Sequence, residues 1–143
     1  MTVAFIRRSS GDGMPDETSL QQPVVFQISP QTDTRVHDHA AMLASAGFHV
    51  ITHTHDQSSV KEVLRLGPRI VLAELAEGER ETMFDLVRQL KATARHIPVI
   101  VYGVGLTAGE IEATARAGAM WLQLEPTDGV KLVAAVRGVL RAR

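Results

Sequence analysis

Pro68-Arg69-Ile70-Val71-Leu72-Ala73-Glu74-Leu75 is the stretch that decides how this chain is read. Ile70 to Leu75 reads as a continuous apolar strand, the pattern of a strand covered on both faces. Leu66-Gly67-Pro68 before it is a helix stop, because Gly takes a left-handed cap and Pro cannot continue a helix. The strand delivers one acid, Glu74, to its C-terminal end. In an open parallel α/β sheet that end is where ligands and chemistry sit.

Working outward, the same alternation of strand and helix repeats. Val24 to Ser29 reads as a strand. Asp33 or Thr34 is placed to cap a helix running to about Ala46, with Val36, Ala40, Leu43 and Ala44 on one face, and Gly47 stops it. Phe48 to His53 is a second strand. Ser59-Val60-Lys61-Glu62 has the form of a capping box, in which Ser and Glu satisfy each other's orphan backbone donors. A helix is predicted over Met83 to Ala94, on the spacing of Met83, Leu86, Val87 and Leu90. Pro98 to Tyr102 is a strand that starts where Pro costs no ladder bond. Thr107-Ala108-Gly109-Glu110 is a second capping box, opening a helix to Arg116. Gly118 ends that helix, and Met120 to Leu124 is the fifth strand. Thr127 or Asp128 caps the last helix, with Val130, Val133, Val136 or Arg137, and Leu140 along one side.

Five strands alternating with five helices, with short connections and right-handed crossovers, imply one doubly wound parallel sheet. Strands of this number and length favour the order 2-1-3-4-5. The fourth helix has little apolar surface (Ala108, Gly109, Thr114, Gly118), so it is the element expected to be mobile or to face a partner.

Composition sets the bounds. At 143 residues the chain holds one full core and no second ordinary domain. Hydrophobic residues are 45% and charged residues 22%, with net charge −1, the profile of a soluble globular domain rather than of a nucleic-acid or membrane-surface binder. The basic residues, mostly Arg, are scattered. Cysteine is absent, which excludes disulfides and thiolate metal sites and fits a reducing compartment. No apolar run reaches a membrane span, and Met1-Thr2-Val3-Ala4-Phe5-Ile6 before Arg7-Arg8 is too short and in the wrong order for a secretory signal. A cytoplasmic protein is expected. Residues 1–22 have tail composition, with Ser9-Ser10-Gly11-Asp12-Gly13 and Gln21-Gln22-Pro23, and are expected to be a flexible tail or at most a short added strand from Val3 to Ile6. Met14 is an alternative start. Residues 23–143 form the domain.

Three stretches carry a resemblance: Leu66 to Leu75; Ile97-Pro98-Val99-Ile100-Val101-Tyr102-Gly103; and Ala117-Gly118-Ala119-Met120-Trp121-Leu122-Gln123-Leu124-Glu125-Pro126. In order and spacing they resemble the response-regulator receiver domain, which has the flavodoxin-like architecture. The resemblance implies a third strand ending in a phosphoacceptor aspartate, two acids after the first strand to hold Mg²⁺, a Thr or Ser after the fourth strand, an aromatic on the fifth, and Lys-Pro after it. This chain departs at each. The acidic pair falls at Pro30 and Gln31, with Asp33 the nearest acid. The acceptor position is Glu74, whose carboxylate sits about 1.5 Å further out than that of aspartate. The hydroxyl position is Gly103, the aromatic position is Leu122 with Trp121 pointing to the other face, and the lysine position is Glu125. Glu77-Gly78-Glu79-Arg80-Glu81 replaces the usual Pro-x-x-x-Gly turn. Phosphoryl transfer rests on positioning and charge neutralisation, and phosphate here would meet Glu74, Glu77 and Glu125. Ordinary aspartyl phosphorylation is therefore not expected.

Glu74 itself has three readings. It mimics a phosphorylated acid; it pairs with an arginine, Arg35 or Arg80; or, the expectation preferred here, it is a solvated acid at a strand end.

Other constellations are weaker. His53, His55, Asp56 and Glu74 supply candidate metal ligands, although solvated histidines near the sheet edge are the expected state, and His37 and His39 do not face one another on a helix. Asp33-Thr34-Arg35-Val36-His37 does not match the Asp-x-His-x-x-Gly of cobalamin-binding domains. Gly103-Val104-Gly105 lacks the third glycine of a dinucleotide fingerprint and reads as a flexible turn. No catalytic residues, metal or cofactor are assigned, and an enzyme is not expected.

The resemblance implies a stand-alone pseudo-receiver that binds other signalling proteins without phosphorylation. The fourth helix, fifth strand and fifth helix would present Glu112, Arg116, Trp121, Gln123, Lys131 and Arg137, with homodimerisation the specific form expected and Trp121 a suitable anchor. No output domain is expected after residue 143. Two alternatives stand beside this: a divergent regulator still switched by phosphorylation or metal through Asp33 and Glu74, and a domain that binds a small ligand or metal in the strand-end crevice.

Overall fold

Five parallel strands carry the molecule, and the sequence explains why each is buried. The computed structural model describes residues 22–30, 34–75, 80–125 and 129–142. The elements are β1 (Val24–Ser29), α1 (Thr34–Ser45), β2 (His49–Thr54), α2 (Ser59–Leu66), β3 (Ile70–Glu74), α3 (Arg80–Thr93), β4 (Val99–Gly103), α4 (Ala108–Arg116), β5 (Met120–Gln123) and α5 (Gly129–Arg141). Residues 1–21 of the predicted tail, Gln31, Asp33, Glu77 and the Thr127/Asp128 cap lie outside the described residues.

The sheet order is β2-β1-β3-β4-β5, all parallel, as the alternation of elements requires. β3 and β4 are buried at every position, which is why their sequences read as continuous apolar runs. Their odd and even residues feed two separate cores. Phe26, Ile28, Val71, Ala73, Val99 and Val101 pack with Val63 of α2 and Met83, Leu86, Val87 and Leu90 of α3. Val25, Ile70, Leu72, Ile100 and Tyr102 pack with Leu43 of α1 and Leu132, Val133 and Val136 of α5. Gly67 caps α2 in the left-handed conformation at φ 58°, as the Gly-Pro pair predicts.

Three sequence expectations are corrected. The Ser59 capping box does not form: Ser58 is the N-cap of α2, without a side-chain cap bond, and Ser59 is buried one residue further in. Its hydroxyl is already taken, accepting the Asp56 N–H at 3.0 Å. By contrast the Thr107 box forms in full: Thr107 Oγ1 accepts the Glu110 N–H at 3.1 Å, and the Glu110 carboxylate accepts the Thr107 N–H at 2.8 Å. Second, α3 begins at Arg80, three residues before Met83, because its first turn is polar and leaves no trace in the apolar period. Third, β2 runs one residue later than predicted, from His49, with Phe48 in the core just before it.

Candidate functional site at the C-terminal edge of the sheet

Glu74 ends β3 and is 3% exposed, so the expectation of a solvated acid is wrong. β1 and β3 run in register through Ile28 and Ala73, which brings Ser29 beside Glu74. The Ser29 hydroxyl donates to Glu74 Oε1 at 2.6 Å. Arg35, in the first turn of α1, donates through Nε at 2.8 Å and Nη2 at 2.6 Å to Oε2. Burying a carboxylate is costly unless it is paired and hydrogen-bonded, and here both oxygens are engaged. Of the three readings of Glu74, the arginine pair is the one the structure contains, and the arginine is Arg35.

Gly103 closes β4 one residue past Tyr102, the partner of Glu74, and is buried beside Leu75. A Cβ built there would lie 2.9 Å from the Leu75 carbonyl oxygen and 3.2 Å from Leu106 Cδ2. The position therefore lacks a hydroxyl and also the space for one. It is a strand residue in close contact rather than a flexible turn, whereas Gly105 beyond it does take a positive φ of 70°. Glu125, just past β5, is exposed.

These residues rim a cleft of about 380 Å³ whose walls include Arg35, Glu74, Arg80, Tyr102, Gly103 and Glu125. Arg80 does not pair with Glu74. It forms an ion pair with Glu110 of α4 and donates to the Val104 carbonyl at 3.3 Å. Burial pushes the Glu110 carboxyl up, but Arg80 and the Thr107 cap outweigh that and hold it below the ordinary glutamate value. Behind the cleft runs a buried polar chain that the sequence reading missed. Thr52 Oγ1 donates to Gln27 Oε1 at 3.1 Å, and Gln27 Nε2 donates to the Tyr102 hydroxyl at 3.0 Å. His39 meets the Tyr102 ring edge-on, with centroids 5.8 Å apart. The available signal was one glutamine inside the apolar run of β1.

His53 and His55 are partly exposed, and they do not join Glu74. His53 Nε2 and His55 Nδ1 each lie 3.1 Å from Ser59 Oγ, and the His53 ring stacks near Phe26 at 5.4 Å. Asp56 lies 3.5 Å from His53, and its carboxyl is held below the usual range chiefly by the Ser58 hydroxyl. His53 is registered with Ile28 on the α2/α3 face, while Glu74 is registered with Tyr102 on the α1/α5 face. Among the described residues no three His, Cys, Asp or Glu side chains are grouped to hold a metal ion.

The predicted interaction face is only partly one surface. Trp121 on the edge strand β5 is 47% exposed, with Met120 beside it at 40%. Leu122 is registered with Tyr102 and packs toward the α1/α5 core, so Trp121 and Leu122 do point to opposite faces. Glu112 and Arg116 pair along α4 at 3.1 Å. Lys131 is exposed near the start of α5. Arg137 turns away, donating to the Ala46 carbonyl past the end of α1 at 3.2 Å. Gln123 turns inward, accepting the Leu106 N–H at 2.5 Å and donating to the Leu106 carbonyl at 3.3 Å. No helix among the described residues is long and apolar enough to cross a membrane.

No protein-family model matches the chain, and no curated protein matches it. Solved structures do. A candidate response regulator from Chloroflexus aurantiacus superposes with a TM-score of 0.73 at 18% identity, covering 86% of this chain and all of that one. A response regulator from Thermotoga maritima gives 0.71 at 22% identity, over 85% of this chain and 99% of its own. The chemotaxis protein CheY4 of Vibrio cholerae gives 0.71 at 15% identity, over 83% and 99%. The chain has the fold of response-regulator receiver domains.

Proposed function

We propose that this chain is a receiver-fold signalling module that acts through protein–protein contact, without aspartyl phosphorylation. One observation carries the reading: the side chain at the acceptor position, Glu74, is buried with both carboxylate oxygens held by Ser29 and Arg35. A phosphoryl group would have to displace the arginine that compensates the buried charge. The same pair argues against a built-in phosphate mimic, because Arg35 neutralises Glu74 within the fold. Gly103, with no space for a hydroxyl, and Glu125, negative where receivers carry lysine, support the same conclusion.

The output surface on this reading is centred on Trp121, Met120 and the exposed side of α4, and a second copy of the chain is the first partner to test. Amide NMR spectra recorded with millimolar Mg²⁺, then with a beryllofluoride phosphate mimic, decide the question. The expected result is no saturable shift at Glu74, Gly103 or Glu125. Saturable shifts there would overturn the reading in favour of a working receiver. Sedimentation of the wild type and Trp121→Glu tests the dimer separately.

A further inference from the structure

The segment between β4 and α4 is held from both sides by side chains that belong to other elements. From one side Arg80, at the start of α3, forms its ion pair with Glu110 in the first turn of α4 and donates to the Val104 carbonyl. From the other, the Gln123 amide of β5 engages both the N–H and the carbonyl of Leu106, as a neighbouring strand would. Between them the Thr107–Glu110 box closes the helix start, so Glu110 serves the cap and the ion pair at once. Leu106 adds an apolar anchor, buried in the α2/α3 core. α4 needs such support, since Thr114 is its single buried side chain.

Two exposed side chains sit at this junction. Val104 follows Gly103 and is 44% exposed; Trp121 lies two residues before Gln123 on the same strand. Arg80 is also a wall of the cleft. One guanidinium therefore connects the cleft rim, the β4–α4 segment and α4.

We infer that Arg80 and Gln123 are the positioning residues of the α4–β5 surface, clamping the β4–α4 segment so that this surface is preset. The role of that surface as an output rests on the functional reading above; the clamp does not. Because the segment is bonded through side chains, the surface keeps its shape without any event in the cleft. Disturbing Arg80 from the cleft side is the route by which the surface would change.

Amide hydrogen exchange on the full chain tests this, because the two arms protect different amides. The Leu106 N–H is bonded to Gln123 and the Thr107 N–H to Glu110. Gln123→Met should speed exchange at Leu106 by about tenfold while leaving the helix amides of α5 unchanged. Arg80→Met should speed exchange at Thr107 and Ile111 and shift the emission of Trp121, the single tryptophan. Arg80→Lys should restore part of the protection, which a merely space-filling role would not. Unchanged exchange at Leu106 and Thr107 in both variants, with folding confirmed by α5 protection, overturns the clamp. Uniform acceleration across α5 as well would reduce both residues to general stabilisers, and that too overturns it. A beryllofluoride response bears on the functional reading alone, so the two failures are distinguishable.

Discussion

Replacing Arg35 by Met removes two of the three hydrogen bonds drawn to Glu74 and leaves a carboxylate whose side chain is 4% exposed beside one hydroxyl. Removing one partner of a fully buried pair costs about 3–5 kcal/mol. Arg35 itself is 42% exposed, so water follows the departing guanidinium and part of the loss is recovered. The expected destabilisation is about 2–3 kcal/mol by urea denaturation, with the slope unchanged. Adding Glu74→Gln removes the stranded charge and should return more than half of the loss. The double-mutant cycle should then give a coupling energy above about 1 kcal/mol. A cost for Arg35→Met below about 0.5 kcal/mol, with additive behaviour in the double variant, would refute the assignment of Glu74 as a buried charge held by Arg35.

Other outcomes follow from the same contacts. Gly103→Ser, which restores the hydroxyl of the receiver pattern, should cost about 1–3 kcal/mol in urea, because the new Cβ meets the Leu75 carbonyl at 2.9 Å. Thr107→Ala should cost about 1 kcal/mol through the lost cap, whereas Ser58→Ala, with no cap bond to lose, should cost less than about 0.5 kcal/mol; thermal or urea melts compare them. Glu110 has its folded pKa lowered, so its contribution is present above the ordinary value of 4.5 and is lost as pH falls through the folded value. The stability gap between wild type and Glu110→Gln, read from urea midpoints across pH, should therefore be full near neutrality and shrink below about pH 4.5.

The fold was legible because its information is apolar and periodic. Ile70 to Ala73 and Val99 to Val101 have no polar face to show, and that alone specifies strands covered on both sides. Of the two capping boxes read from the sequence, the Thr107 box formed and the Ser59 box did not. Both have the same spacing, but Ser59 Oγ is engaged by the Asp56 N–H and by His53 and His55, all within the preceding six residues, and does not serve as the cap. The polar first turn of α3 was invisible because Arg80 contributes an ion pair to α4 rather than an apolar contact to the core.

The site was misread at Glu74 because burial of an acid is decided by residues far along the chain. Ser29 and Arg35 lie 45 and 39 positions away and offer no spacing rule. What the sequence presented as separate losses, the structure joins by contact. The acceptor acid has its oxygens held by Ser29 and Arg35, and the glycine that replaces a hydroxyl lies against the carbonyl of Leu75, the residue after that acid. Restoring the receiver residue at position 74 or 103 alone would disturb a contact that the present chain uses. A rebuilt acceptor site would need Glu74, Arg35 and Gly103 changed together, and the Leu75–Leu106 packing with them. That interdependence supports reading the departures at Glu74 and Gly103 as one settled arrangement, in which Ser29 and Arg35 brace the cleft.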